Sequence, residues 1–247
     1  MTDAPSPQCR ILVMASGNGS NFQALIDAVG NGEIPNSRII QLIVNRGKAY
    51  ATKRAEQHGI PWEYFNLISH GFQDKSEKDP AKLQQARDNY DAALAKKILE
   101  CDTRPHLIVL AGWMYIFGEH FLDPISAAGI KTINLHPALP GKLGVAELVM
   151  EILTCETGKY DGVNAIERAF DDFQAGKLEN NKTGIMVHYV IKQVDRGETI
   201  MTREIEIKQG ENLGQLKEKI HANEHQLIVQ ATAQVVGEIL AAQGQGQ

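Results

Sequence analysis

Apolar residues up to residue 135 fall into two alternating patterns. Short apolar runs, which are typical of buried strands, occupy residues 10–15 and 107–110; residues 39–44 and 132–135 predict further strands, and residues 62–67 are a candidate for another. Between them, apolar residues recur every three or four positions, which predicts helices over residues 22–29, 50–58 and 79–99. This alternation predicts an α/β fold with a doubly wound, mostly parallel sheet.

The rest of the chain has a different pattern. Residues 184–190 and 199–207 predict two strands joined through a turn at Asp195, Arg196 and Gly197. Residues 213–240 predict a long terminal helix, so we expect a small mixed C-terminal part. Residues 1–9 are expected to be a disordered lead-in, residues 10–240 a single domain and residues 241–247 a flexible tail.

Composition narrows the class of partner. The 247 residues carry a net charge of -5 with both signs mixed along the chain, so no basic stripe is available for nucleic acid or a membrane surface. Cys9, Cys101 and Cys155 include no Cys-x-x-Cys pair, which argues against a disulfide framework and a zinc knuckle. No signal peptide is recognisable, and the longest apolar run, 107–117, is too short to span a bilayer. We expect a cytoplasmic protein with small-molecule substrates.

A glycine-rich turn follows the first predicted strand. It has the sequence Ser-Gly-Asn-Gly-Ser-Asn over residues 16–21 and precedes a predicted helix, whose free N–H groups and dipole favour an anion. It is not a dinucleotide fingerprint, because Phe22 stands where the third glycine would be, and no Lys-Ser/Thr pair follows as in a P-loop. A phosphate monoester is the better ligand, and a tight turn without a ligand is the alternative.

Asn134 and His136 end another predicted strand, where the ligand crevices of open α/β sheets lie. Because they are two residues apart on an extended segment, their side chains point to the same face. A carboxamide and an imidazole together can stabilise a developing oxyanion, with His136 as the proton donor. Asp195 would favour the imidazolium form if it approached His136. A structural histidine and a solvated turn aspartate are the alternatives.

Several motifs in a fixed order give the chain a specific family resemblance. After the glycine-rich turn come Val-Leu-Ala-Gly-Trp-Met at 109–114, Asn-Leu-His-Pro at 134–137, Val-His-Tyr-Val at 187–190 and Val-Asp-Arg-Gly at 194–197. From about residue 10 to about residue 236, the chain resembles the glycinamide ribonucleotide formyltransferases.

The resemblance implies three sets of site residues. The catalytic set is Asn134, His136 and Asp195, and the set that binds the sugar phosphate is Gly19, Ser20, Asn21 and Glu224. The folate-binding set is Arg87, Met114, Tyr115, Ile116, Phe117, Asn134, Ile191, Val194 and Asp195. Tyr115 departs from the family pattern, because some relatives have a basic residue at this position.

The resemblance also implies the reaction. The amine of 5-phosphoribosylglycinamide would attack the formyl carbon of 10-formyltetrahydrofolate, a step of purine (IMP) biosynthesis that requires no metal. Asn134 and His136 would stabilise the oxyanion, and Asp195 would orient His136 and help to relay the proton. No covalent enzyme intermediate is implied. The protein is expected to be a monomer or a homodimer.

Other functions remain open from the sequence. His221, Glu224 and His225 match the H-x-x-E-H pattern of inverted zinc peptidases, although no third ligand is evident and solvated helix residues are the usual explanation. Hydrolysis of formyltetrahydrofolate and formyl transfer to aminoacylated transfer RNA would use the same Asn and His, but these relatives normally carry an extra domain for which the chain has no room. A non-catalytic sugar-phosphate-binding protein is a further alternative.

Residues 143–159 are a suspected insertion. In the family, the Pro-Gly of the active-site loop continues almost directly into the helix that begins here near Tyr160. The segment is flanked by a repeated Gly-Lys, at 141–142 and 158–159, and its codons can supply the signals of a short intron. A retained intron and a genuine helical insertion, which the spacing of Val145, Leu148, Val149 and Ile152 would suit, are both open.

Overall fold

A computed structural model describes residues 8–140, 160 and 164–244. The suspected insertion at 143–159 and most of the lead-in lie outside the described residues. The chain forms two compact units. The first contains residues up to Ile133 and from Ile228 onward, and the second contains Asn134–Leu227.

The first unit has the strand–helix alternation that the sequence predicts. Its elements are β1 (Cys9–Ala15), α1 (Ser20–Asn31), β2 (Ser37–Val44), α2 (Ala51–Gln57), β3 (Trp62–Tyr64), α3 (Pro80–Leu99), β4 (Leu107–Leu110), α4 (Glu119–Ala127) and the start of β5 (Lys131–His136). The strands lie in the order β3-β2-β1-β4-β5. The pairs β1–β2, β1–β4 and β2–β3 are parallel, with Val13 of β1 opposite Leu42 and Val109.

Burial explains the continuous apolar runs. All four residues of β4 are buried, and in β1 only Arg10 is partly exposed, as expected for parallel strands that are covered on both faces. Helix α3 begins where the sequence predicts, because Pro80 occupies the first turn and the Asp79 carboxylate accepts a hydrogen bond from the Ala81 N–H at 2.9 Å.

The second unit contains the mixed C-terminal part. Its elements are the end of β5, α5 (Ala165–Gln174), a 3-10 turn (Glu179–Asn181), β6 (Lys182–Tyr189), β7 (Thr199–Glu206) and the start of α6 (Leu213–Gly244). Within this unit the strand order is β5-β6-β7, and β6 and β7 are antiparallel. Their register shifts between Val187 and His188, which pair with Met201 and Thr199, so the extra residue of the irregularity is Ile200 on β7.

The predicted fold class is confirmed: an α/β fold with mostly parallel strands and a long terminal helix. Most boundaries differ from the sequence expectation by one to four residues; β2, for example, begins at Ser37 rather than at residue 39. Strand β3 ends at Tyr64, β1 begins one residue early at the buried Cys9, and α6 continues through residues expected in the tail, because Ala241 and Ala242 are strong helix formers. Helix α4 was not predicted, since Pro124 lies inside it and normally interrupts a helix. None of the described helices is both long enough and apolar enough to cross a membrane.

Candidate active site

Asn134, His136 and Asp195 lie together in the second unit. The end of β5 supplies Asn134 and His136, and the connection between β6 and β7 supplies Asp195. The Asn134 Nδ2 donates to Asp195 Oδ1 at 3.3 Å, and His136 Nδ1 lies 3.3 Å from Asp195 Oδ2. The side chains of His136 and Asp195 are only 5% and 7% exposed, so they interact where water screens little.

The conformation of the β6–β7 connection places the Asp195 carboxylate. Asp195 has a φ of 54°, in the left-handed region that aspartate tolerates better than most residues. Two residues later, Gly197 lies directly against the Tyr189 carbonyl, which would overlap any Cβ at that position. The glycine therefore allows the backbone of the connection to pass close to the end of β6.

His188 is a third polar neighbour of Asp195, and sequence analysis assigned it no role. Its Nε2 lies 3.3 Å from Asp195 Oδ1 and 3.4 Å from Asn134 Nδ2, while its Nδ1 lies 2.9 Å from the Tyr189 carbonyl. The signal was present in the Val-His-Tyr-Val motif, but the register shift between Val187 and His188, with Ile200 of β7 as the extra residue, has no local sequence signature.

The ring of His136 lies between two acceptors. Its Nε2 is 2.8 Å from the Tyr160 carbonyl oxygen, and its Nδ1 faces Asp195. A ring with a proton on each nitrogen, the imidazolium form, would donate to both acceptors. This form can donate to a developing oxyanion, provided that the substrate oxygen replaces the Tyr160 carbonyl.

The residues expected to hold a phosphate lie at the start of α1 in the first unit. Gly19 has a φ of 74° and precedes the helix, whose first residues are Ser20 and Asn21. The first N–H groups of a helix have no acceptor within the helix, so they are available to an anion. Glu224 lies in the second unit, where it is buried on α6.

Residues expected to hold the folate in the first unit form a loop after β4. Met114 and Ile116 are 56% and 50% exposed, and Phe117 is buried. The Arg87 guanidinium stacks over the Tyr115 ring at 4.5 Å and donates to the Ile116 carbonyl at 2.7 Å. Arg87 therefore supports the loop from α3, a contact that the sequence did not predict.

This loop is also tied to the glycine-rich turn. The Met114 N–H donates to Ser16 Oγ at 2.7 Å, and the Ser16 N–H donates to the Gly112 carbonyl at 3.0 Å.

Burial, with the nearby Asp91 carboxylate, raises the pKa of Tyr115 above its ordinary value, so the phenol is neutral at physiological pH. In the second unit, Ile191 is 42% exposed and Val194 is half-buried.

No group of three metal-ligating side chains that could hold a metal ion occurs within residues 8–140, 160 and 164–244. The H-x-x-E-H pattern at His221, Glu224 and His225 therefore lacks the further ligand that a zinc site would need among these residues.

Comparison with known proteins identifies the family. Residues 9–232 match the family described as formyl transferase. The chain belongs to the formyl transferase family. It is 39% identical over 227 residues to a phosphoribosylglycinamide formyltransferase of Schizosaccharomyces pombe, covering 92% of this chain and 96% of that protein. It is 37% identical over 236 residues to the Saccharomyces cerevisiae enzyme of the same name, covering 93% and 98%.

A solved structure gives the same result. The phosphoribosylglycinamide formyltransferase of Coxiella burnetii superposes with a TM-score of 0.69 at 30% sequence identity, covering 94% of this chain and 88% of that one. Membership of the formyl transferase family decides against the zinc-peptidase alternative, because the family match runs through α6 as far as residue 232.

Proposed function

We propose that this chain transfers the formyl group of 10-formyltetrahydrofolate to the amine of 5-phosphoribosylglycinamide, a step of purine biosynthesis. The observation that carries the proposal is the contact of both Asn134 and His136 with Asp195, in a chain that matches the family over nearly its whole length. The finer expectations belong to the same proposal: a cytoplasmic protein, a monomer or homodimer, with no nucleic-acid or membrane partner.

The proposed mechanism uses the hydrogen-bond directions of the cluster. The unprotonated amine attacks the formyl carbon, and the carbonyl oxygen becomes an oxyanion that accepts from the Asn134 amide and the His136 imidazolium. When the bond from that carbon to the folate nitrogen breaks, the proton lost by the amine moves to this nitrogen. The Asp195 carboxylate faces His136 Nδ1 and compensates the imidazolium charge throughout.

The remaining residues bind and orient the two substrates in this proposal. Gly19, Ser20 and Asn21 hold the phosphate, and Glu224 holds the end of the substrate that carries the amine. The folate lies against Met114–Phe117 and residues 191–195. Arg87 takes part mainly through this loop, because its guanidinium already contacts Tyr115 and Ile116.

One observation favours a second candidate, a chain that binds the sugar phosphate but turns over slowly. The Tyr160 carbonyl occupies the Nε2 donor of His136, the group that the oxyanion needs. If this contact persists in solution with substrate bound, binding would survive and transfer would be impaired.

The test is a spectroscopic assay of folate deformylation with and without 5-phosphoribosylglycinamide. We expect turnover that depends on the glycinamide, and we expect Asn134→Ala and His136→Ala each to lower kcat by roughly 100-fold while substrate binding changes little. The matched controls are Asn89→Ala and His221→Ala, which remove the same side-chain types at exposed positions.

Other outcomes identify the alternatives. Deformylation that is independent of the glycinamide would indicate a hydrolase. Sugar-phosphate binding without product would indicate the non-catalytic alternative. Near-normal kcat in both active-site variants would remove these residues from the mechanism.

A further inference from the structure

An arginine on α2 reaches the glycine-rich turn, and no part of the proposed mechanism uses it. The Arg54 Nε donates to the Asn18 carbonyl at 3.0 Å, and one terminal nitrogen donates to Asn18 Oδ1 at 2.9 Å. The other terminal nitrogen donates to Gln23 Oε1, on the first turn of α1, at 3.3 Å. One guanidinium thus joins the middle of the turn to the helix that follows it.

The neighbouring residues of α2 complete this contact. The Ala51 N–H donates to the Gly17 carbonyl at 3.2 Å. A Cβ at Gly19 would lie 2.7 Å from Ala51 Cβ and 2.9 Å from Ala51 Cα, so only glycine fits between the turn and α2. The Arg54 guanidinium is itself held over the Tyr50 ring at 5.2 Å.

These contacts determine the direction of two peptide groups. In a trans peptide the N–H points opposite to the C=O of the same unit. Because the carbonyls of Gly17 and Asn18 accept from α2, the N–H groups of Asn18 and Gly19 point away from α2. A turn that binds an anion needs N–H groups on its ligand side and carbonyl oxygens elsewhere, which is the arrangement that Arg54 and Ala51 impose.

We propose that Arg54 is a positioning residue for the substrate phosphate: it holds the Asn18 peptide so that the turn presents N–H groups to a phosphate monoester, and it adds a fixed positive charge beside the turn. The inference rests on the proposed function, because it assumes that residues 19–21 bind the phosphate. It adds a residue on a separate helix, 36 positions from Asn18 in the chain.

The adjacent Lys53 provides a matched control. It carries the same charge on the same helix, is exposed, and pairs with Glu56 at 2.8 Å. We would measure steady-state kinetics and calorimetric binding of 5-phosphoribosylglycinamide and of its dephosphorylated analogue for the full chain, for Arg54→Gln and for Lys53→Gln.

We expect Arg54→Gln to raise the KM and Kd for the phosphorylated substrate by roughly tenfold or more, because the N–H groups of the turn would no longer point at the phosphate. The KM for the folate, the Kd for the dephosphorylated analogue and the Lys53→Gln kinetics should change by less than about twofold. A general structural defect would instead weaken the binding of both substrates and of the analogue together, and that result would overturn the proposal.

Arg54→Lys separates positioning from charge. Lysine keeps the charge but lacks the planar fork that reaches both Asn18 oxygens, so the KM for the phosphorylated substrate should stay raised. Full recovery in Arg54→Lys would overturn the positioning role. If the unmodified chain shows no glycinamide-dependent turnover, the proposed function fails. If the chain is active but Arg54→Gln leaves the KM and Kd for the phosphorylated substrate unchanged, only the inference about Arg54 is contradicted.

Discussion

Two glycines show how differently one added methyl group acts at different positions. At Gly197 a Cβ would overlap the Tyr189 carbonyl, whereas at Gly237, which is exposed on α6, a Cβ meets nothing within 4 Å. We predict that Gly197→Ala lowers the free energy of unfolding by roughly 2 kcal/mol or more, because the backbone must shift. Gly237→Ala should raise it by roughly 0.5–1 kcal/mol, because alanine loses less entropy in a helix.

Urea unfolding of both variants beside the unmodified chain measures these changes. The steric argument for Gly197 would be wrong if the two variants had equal midpoints and slopes. Gly197 is also two residues from Asp195, so its substitution should lower turnover as well, whereas Gly237→Ala should leave kcat unchanged.

The polar contacts of the site could be predicted only in part at the residue scale. Asn134 and His136 share a face of β5 because strand residues alternate, and the sequence predicts this correctly. The contact of Asn134 with Asp195 spans 61 positions and depends on the left-handed conformation of Asp195. His188 joins them next to a register shift between β6 and β7, which alternation alone would not predict.

At the scale of elements, α3 supports both the exposed loop after β4 and the start of α4. Arg87 and Asp91 lie one turn apart on α3. Asp91 Oδ2 accepts from the Gly118 N–H at 2.6 Å, at the N-cap of α4, which has no side-chain cap of its own. A buried carboxylate from another helix thus replaces the local cap.

Burial raises the pKa of Asp91, although the Gly118 hydrogen bond and Arg87 oppose this shift. A carboxyl group whose pKa is higher in the folded state stabilises the fold when protonated, and this stabilisation is lost as pH rises above its unfolded value of about 3.9. Asp91→Asn removes this pH dependence of stability, because an amide does not titrate. We therefore predict that the stability of the unmodified chain relative to Asp91→Asn decreases as pH rises above about 4.

Thermal or urea unfolding at several pH values tests this prediction for Asp91. The control is Asp102→Asn, which removes an exposed carboxylate after the end of α3. A difference between Asp91→Asn and the unmodified chain that grows with pH would show that the ionised carboxylate is favourable in the fold, contrary to the argument from burial.

At the scale of the whole molecule, the 17 residues at 143–159 separate the strand that carries His136 from Tyr160 in the sequence. The residue that follows them, Tyr160, places its carbonyl on His136 Nε2, and its hydroxyl donates to Asp172 at 2.6 Å. We predict that deleting 143–159 raises kcat and solubility, because it restores the short family connection and changes the backbone beside His136.

Replacing 143–159 by a Gly/Ser linker of equal length is the control that separates the sequence of the segment from its length. Reads of the messenger RNA test the intron hypothesis directly. Loss of activity on deletion, or transcripts that all contain the segment, would contradict the hypothesis that it is foreign to the functional protein.

The sequence by itself determined the elements and the family. Periodicity is a short-range signal, so the apolar runs at 10–15 and 107–110 and the helical spacing of 79–99 could be recognised without any tertiary contact. Motif order along the chain was sufficient for the family resemblance, which the comparisons confirm. The α4 helix escaped this reasoning, because local rules treat Pro124 as a break.

The tertiary structure alone decided which side chains meet. Arg54 contacts Asn18, Arg87 contacts Ile116, and Asp195 contacts His136 across separations that no local pattern encodes. These contacts depend on helix placement and on the left-handed conformation of Asp195, which follow from packing over a whole unit. The physical reason is that periodicity records which face of an element is buried, whereas a contact also requires the position of the partner element.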